Sequence, residues 1–592
     1  MNTQRALPLP ACWLVILLLF SFCQPGFAQT PSGSIEQEYM QRWQEFYPSR
    51  AVANGIHSAI FQIENRSDTA VQQWLTYNKS LLLSLSDNEA PSSKMNAINR
   101  RMLMVQLTNE VHTWEVEKPH QNSIGLYTRH IQNALSSVME ADFLTPQDKG
   151  QLVCSRLAGI ANLVTQAGLN LQSLKKEEAT RSFNQLKNIQ AFIKSELVPE
   201  LKKRGIHTTC AEFEETRNAL ATFMDISFRD INARLMPKAT AADPLLGRDE
   251  YARRLGLYTD SDLTPEKLLE MAMEEINTVR ELIAQVSADY LAKEVYKDRP
   301  IPSGTDKMAM IKKAFADMEA DAPTNGADYL AFWLELEQAA LRFIEEKNIA
   351  TLPDFHTLRI KNAPESAGPA ARIGWVSSAP PFHPNPVTTL YLPSIPDTLP
   401  EQEQKEFWAS FNKPFNRMIV IHELLPGHYM QLKISRETPH PIRLLFPYGT
   451  YIEGWATLCE RVVLDAGWEK ENPLTMLAHL RKRLENANRA YTSVQVHCFG
   501  WTKEQVMKFS TETSLLAPQF AKSLWGRIMR SPMQLTSYYL GSAQFTALLA
   551  SEKARLGHRF DLKLFMDTIM KAGPIPIDEF EAIFKDITPT ED

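Results

Sequence analysis

Apolar residues recur at three- and four-residue spacing along most of this 592-residue chain. A segment with that period can bury a continuous apolar face only as an α-helix. Residues 35–47, 69–84, 96–115 and 147–197 all carry it, and the last is long enough for two helices. Thr264-Pro265-Glu266 reads as a helix start, with a hydroxyl cap, a proline in the first turn and an acid at the positive end of the dipole. Beyond it Leu268, Leu269, Ala272, Ile276, Val279 and Ile283 form one apolar face. The period breaks between Leu352 and Pro400, a stretch holding ten prolines. Inside it residues 357–360, 373–376 and 388–392 lean towards strand. Helical spacing returns at about Glu401. The expected fold is therefore mainly α, a large multi-helical body with a small β-sheet or strand flap. The stretch from Pro237 to Gly247 is a soft boundary, dividing an N-terminal helical region (29–245) from a C-terminal region (246–592) that holds the chemistry described below.

The first 28 residues read differently. Arg5 supplies a positive start, Trp13 to Phe22 is apolar except for Ser21, and Gly26-Phe27-Ala28 offers small residues for a signal peptidase. Residues 1–28 are thus expected to be a signal peptide cleaved near Ala28, which puts the mature chain in the periplasm or outside the cell. Lipid anchoring through Cys23 is disfavoured by the bulky Phe22 before it. No other segment has 18 uninterrupted apolar residues, so no stable membrane insertion is expected after cleavage. Loss of Arg5 moves the formal charge from −6 to −7, and dispersed weak acidity argues against nucleic acid as a partner. Cys154, Cys210, Cys459 and Cys498 remain, enough for two disulfides whose pairing the sequence leaves open. No CxxC is present, so a cysteine zinc site is not expected. Nothing in the sequence fixes the oligomeric state.

The chemistry concentrates in Met418-Ile-Val-Ile-His422-Glu423-Leu-Leu-Pro426-Gly427-His428-Tyr-Met-Gln431. Two histidines and an acid sit inside an apolar run, where a buried carboxylate is costly unless paired or metal-linked. Imidazoles are favoured zinc ligands, and a carboxylate beside one can serve as general base. In the familiar HExxH helix the two histidines share a face at i and i+4. Here they are six positions apart, so an unbroken helix would point them about 120° from each other. Pro426 and Gly427 suit a break or bulge that would bring them back together. Spacing alone leaves two readings open, a metal site with two inserted residues or two satisfied core histidines.

The segment resembles the HExxPGHxxQ core of a bacterial domain-of-unknown-function family, number 885, regarded as zincin-like. Glu453-Gly454-Trp455-Ala456 with Glu460 resembles that family's EGWA…E segment, and Arg489, His497, Gly500-Trp501, Pro532, Gln534, Ser537-Tyr538 and Gly541 follow in its order. Thr457-Leu458, Ser493 and Met533 depart from the family pattern. The likeness runs through nearly all of the mature chain. It implies a zincin-like fold for 246–592 and one Zn²⁺ per chain, held by His422, His428 and Glu453, with Glu423 as general base. The alternative for Glu453 is a buried acid paired with an arginine.

Glu460 is two turns along from Glu453. It can orient a ligand histidine, or simply pair with Arg461 or a base near Lys482. Tyr538 is the expected oxyanion donor, with Tyr539 as the fallback. His497 and Gln431 are candidates for supporting contacts, and Arg489 and Arg527 for a substrate carboxylate, against plainer readings as core or salt-bridge residues. The edge near residues 373–376 is a candidate for pairing with an extended peptide. The expected activity is metal-assisted hydrolysis of a peptide or other small amide. A zinc amidase or esterase with a non-peptide substrate is the nearest alternative, and a non-catalytic binding protein the more distant one.

Overall fold

The structure is a computed structural model that describes residues 34–587, apart from 88–93, 209, 241–244, 298–305, 354–356 and 385. The expected signal peptide lies outside the described residues. Helices dominate, as the apolar spacing requires. Residues 147–197 do hold two long helices, Pro146–Asn170 and Lys176–Ala191, the first starting within one residue of the expected span.

Two large cores organise the chain. One gathers Tyr39, Trp43, Leu107, Tyr127, Ile160 and Ile231 from the N-terminal helices and takes in Ile442 and Leu445 from the short helix Pro441–Leu445. The helix Pro146–Asn170 is long and apolar enough to cross a membrane, yet its Leu152, Val153, Leu157, Ile160, Leu163 and Val164 are buried in this core. The second core surrounds the motif segment and includes Met418, Val420, Ile421, Tyr451, Trp455, Phe545 and Phe580. The helix Lys94–His112 serves both, with Leu103 and Leu107 in the first core and Ile98 and Met102 in the second.

The helix Pro265–Tyr290 begins as its sequence predicts, with the Thr264 hydroxyl accepting from the Lys267 N–H. Its buried Leu268, Ala272, Ile276, Val279 and Ile283 lie along the helix Pro473–Phe499. Each large side chain buried this way contributes about 1.5–3 kcal/mol. This pairing gives the long helix Pro473–Phe499 a rigid back, and its other faces meet the motif helices.

The proline-rich stretch forms a three-stranded sheet, β1 (Leu358–Asn362), β2 (Trp375–Ser377) and β3 (Thr388–Leu392), in the order β1-β3-β2. β1 runs parallel to β3 and β2 antiparallel to it, with Ile360 opposite Leu390 and Val376 opposite Leu390 on the other side. Thr388, Leu390 and Leu392 alternate inward, the pattern of a strand with one buried face. The sheet is tied to the motif segment, because the Thr357 N–H donates to the Tyr429 hydroxyl (2.8 Å) and Lys433 donates to the Thr357 hydroxyl (3.0 Å).

Candidate metal centre

The helix Lys413–Glu423 is capped by Asn412, whose side chain accepts from the Phe415 N–H, and it buries Met418 to Ile421 in the second core. It ends at Glu423, and a new helix starts at His428. Across the break the Gly427 N–H donates to the Ile421 carbonyl (3.1 Å) and the Met430 N–H to the Leu424 carbonyl (3.1 Å). Both bonds reach back six residues where a regular helix reaches back four. Two residues are thus looped out, and His428 takes the place beside His422 that a residue four positions on would have. Trp455 fixes the loop by donating from Nε1 to the Pro426 carbonyl (3.0 Å). Gly427 is required by space and not by dihedral. A Cβ there would lie 1.9 Å from the His422 carbonyl oxygen and 2.4 Å from that of Ile421.

The outcome is that the His422 and His428 rings stand 4.8 Å apart at 85°. Glu453, in the first turn of the helix Tyr451–Asp465, faces both, with Oε2 3.7 Å from His422 Nε2 and 3.4 Å from His428 Nε2. Glu453 Oε2 is buried without a hydrogen-bond partner. Ligand atoms about 2.0–2.2 Å from a tetrahedral zinc are separated by about 3.3–3.5 Å, so an oxygen left unbonded between two imidazole nitrogens at these spacings fits a shared cation better than a direct ion pair. Burial opposes charge on Glu453, yet the two facing imidazoles hold its carboxyl well below the usual range. Burial likewise opposes charge on His422, and Glu453 and Glu460 override it, lifting the ring to about 10.

Glu460, on the same helix and fully buried, accepts from His422 Nδ1 at 2.8 Å. Its other oxygen meets Nδ1 of His479 at 2.8 Å. Burial pushes the Glu460 carboxyl up, but the two imidazoles hold it down at about 2. A carboxylate bonded to Nδ1 fixes the ring plane of His422 and leaves Nε2 as the atom that could hold a cation. The alternative partners for Glu460 do not apply, as Arg461 turns outward to Asp465 and Lys482 to Glu485.

The helix Pro532–Leu556 closes the other side. It crosses the Glu453 helix in direct backbone contact, so that a Cβ on Gly454 would lie 2.4 Å from the Gly541 Cα, and one on Gly541 would lie 2.0 Å from the Thr450 carbonyl oxygen. One turn before Gly541 is Tyr538, whose hydroxyl accepts from Gln534 Nε2 at 2.9 Å. Burial raises its phenol and the Glu453 charge adds to this, while Arg489 and Arg527 lower it. Arg489 lies 4.8 Å over the Tyr538 ring, and Arg527 donates to Gln534 Oε1 (3.3 Å). Glu423, the last residue of its helix and partly exposed, is near enough to raise the His422 pKa.

Three candidates fall outside the cluster. His497 is a core residue, with Nε2 donating to the Ile528 carbonyl (3.0 Å) and Nδ1 accepting from the Leu246 N–H (3.3 Å), so both ring nitrogens are satisfied. Tyr539 is one residue past Tyr538, about 100° round the helix, and packs between other cores towards Glu275 and Arg483. Gln431 donates to Ser435, which in turn donates to the Met570 carbonyl, so it joins two helices and does not face the cluster.

Two residues were not foreseen. His479 had only a lone histidine among leucines as its signal. Tyr258, raised to about 12 by burial with help from Glu453 and Tyr538, donates to the Gly449 carbonyl (2.9 Å). Nothing in the sequence links it to a motif almost 200 residues later. Of the four cysteines, Cys154 and Cys210 form a disulfide, and Cys459 and Cys498 are free. Among the described residues His112, Glu117 and Glu250 make a second group with cation-holding geometry, but Arg253 and Arg254 already pair with Glu250 at 2.8 and 2.6 Å.

Residues 48–583 match the family model described as bacterial protein of unknown function, DUF885. The chain belongs to this family. No curated protein matches its sequence. Among solved structures, this DUF885 chain is similar to a candidate lipoprotein of unknown function from Shewanella oneidensis. The TM-score is 0.80 and the identity 19%, over 93% of this chain and 99% of that one. It is also similar to a candidate lipoprotein from Colwellia psychrerythraea, with a TM-score of 0.69 and 16% identity over 92% and 97%. At these identities the likeness establishes a shared fold alone.

Proposed function

We propose that this DUF885 member is an exported zinc-dependent hydrolase that cleaves peptide bonds. The observation that carries the reading is Glu453 Oε2, buried, without a hydrogen bond, 3.7 Å from Nε2 of His422 and 3.4 Å from Nε2 of His428, with the His422 ring already held through Nδ1 by Glu460. His422, His428 and Glu453 would hold one Zn²⁺, and that ion when bound supplies Lewis acidity and lowers the pKa of water towards ~7.

The remaining work falls to the chain's own groups. Glu423 takes the proton of the attacking water and returns it to the leaving nitrogen, a role worth about 10²–10⁴ in rate. Tyr538 stabilises the developing oxyanion. Its oxygen already accepts from Gln534, which leaves its own proton free to donate. Tyr258 is the weaker choice, because its proton is engaged by the Gly449 carbonyl. Elemental analysis should find close to one zinc per chain, and Glu423→Gln should keep that zinc while losing peptide hydrolysis. A metal-free protein with full activity, or an unimpaired E423Q, would refute the reading.

The N-terminal sequence and the Cys154–Cys210 disulfide support export, since disulfides persist in oxidising compartments. Two similar structures described as lipoproteins favour a lipid anchor at Cys23, whereas the residues around Ala28 favour simple cleavage. The mass of the mature N-terminal peptide decides between them.

A further inference from the structure

The groups around Tyr538 carry more positive charge than the hydrolytic chemistry needs. Lys482, Glu485 and Arg489 lie on one face of the helix Pro473–Phe499, at i, i+3 and i+7. Arg527 reaches in from the helix Pro518–Arg530 and Gln534 from the helix Pro532–Leu556. Arg489 is 4.8 Å and Lys482 6.0 Å from the Tyr538 ring centre, and Arg527 bonds the Gln534 that bonds the Tyr538 hydroxyl. One acid answers these three cations: Glu485, bonded by Arg489 and 3.9 Å from Lys482. Burial pushes the Glu485 carboxyl up, yet Arg489, Lys482, Arg481 and Arg527 hold it at about 2. Arg481 itself turns away to Glu319 at 2.9 Å and to the Phe315 ring.

The surplus is sheltered. Side-chain exposure is 8% for Arg489 and 14% for Lys482. Surplus charge in such a place is costly unless a counter-anion completes it. On the metal side, Glu453 and Glu423 would balance a dication and Glu460 is taken up by His422 and His479, so among the described residues none of these acids pairs with Lys482, Arg489 or Arg527. The position of this surplus matters, because the helix that carries Tyr538 crosses the Glu453 helix backbone on backbone at Gly541 and Gly454, which sets the cations beside the candidate metal centre.

We infer that Lys482, Arg489 and Arg527 bind a substrate carboxylate next to the scissile bond, so that the preferred substrates are short peptides cut near a free C-terminus. This rests on the hydrolase reading above. A guanidinium fork matches a carboxylate in geometry, and among the described residues Arg527 is bonded to the neutral Gln534 and to no carboxylate. A charge-assisted bond contributes about 1.5–3 kcal/mol, equivalent to roughly 10- to 100-fold in affinity or kcat/KM.

The test compares three peptides with the zinc-loaded protein: an N-acetylated peptide with a free C-terminal carboxylate, its C-terminal amide, and an amide carrying Glu at the last position. The free acid is expected to be cleaved about 10- to 100-fold more efficiently than the plain amide. Restored cleavage of the Glu-bearing amide assigns the carboxylate to a side chain and still supports the site. Arg527→Gln should pull the acid-to-amide ratio towards one, while Arg530→Gln, exposed on the same helix, should leave it unchanged. Titration calorimetry of zinc-loaded E423Q with the same peptides reads the preference as a Kd ratio without turnover. If no peptide is cleaved, the hydrolase reading fails, and the Kd ratio alone judges the carboxylate site. Equal cleavage or equal binding of acid and amide, or a ratio unmoved by R527Q, overturns it.

Discussion

Gly427→Ala is a severe test of how this centre is assembled. The new methyl carbon would lie 1.9 Å from the His422 carbonyl oxygen, 2.4 Å from that of Ile421 and 2.5 Å from the His422 carbonyl carbon. A tolerable contact begins near 3.0 Å, so something must move by about 1 Å, and all three obstacles are backbone with no rotamer to turn. Overpacking of this kind costs about 1–3 kcal/mol in stability, and a rigid neighbour puts it at the upper end. The clashing atoms belong to Ile421 and His422, and the new methyl sits on the residue just before His428, so both imidazoles are affected; a ~1 Å misplacement of such groups costs about 10²-fold. G427A should therefore bind zinc about 100-fold more weakly, read by competition with a chelating dye, while circular dichroism keeps its helical signal. Gly168→Ala is the control, because a Cβ there meets nothing within 4 Å and the change should be neutral or stabilising by about 0.5–1 kcal/mol. A G427A protein that melts like its parent and holds zinc within twofold of it would show that the looped-out turn does not set the ligand geometry.

Other expectations follow from the same contacts. Tyr538→Phe should lower kcat by about 10²–10³ with little change in KM, and a pure KM effect would make Tyr538 a substrate contact only. Glu460→Gln should weaken zinc binding about 10- to 100-fold through the loosened His422 ring, as should His479→Leu to a smaller degree, whereas Arg461→Ala on the outer face should not; chelator competition on all three checks this. Cys154→Ser opens a loop of 56 residues and should cost about 4 kcal/mol by chain entropy, visible as a lower urea midpoint; an unchanged midpoint would mean that the disulfide does not constrain the unfolded chain.

Much of this arrangement was legible beforehand, and the reasons are physical. Helices were readable because their apolar faces repeat, and the sheet because prolines exclude helix while residues 388–392 alternate. For His422 and His428 the intervening Pro426-Gly427 left a metal pair and two core histidines both open, since regular geometry would separate them, and the pair was implied by the family resemblance. The structure resolves this with two bonds that reach back six residues. Glu453 and Glu460 came from the likeness of one short segment to a known pattern. His479 and Tyr258 were hidden because long-range packing brings them in and no local period marks it. For His497 the plainer core reading holds, and Tyr539, the fallback to Tyr538, packs against other helices. Order within a family pattern does not distinguish a side chain facing a cleft from one facing the neighbouring helix.

The crossing of Gly454 and Gly541 has a consequence for how this architecture can change. Main chain rests on main chain there, so the gap between an acid on one rod and a phenol on the other is dictated by peptide atoms and hardly at all by side-chain choice. Sequence change is then free to proceed around the rim, through the cations and the short sheet, while the distance across the candidate metal centre stays constant. Redesign of this protein should leave that pivot alone and work outward from it.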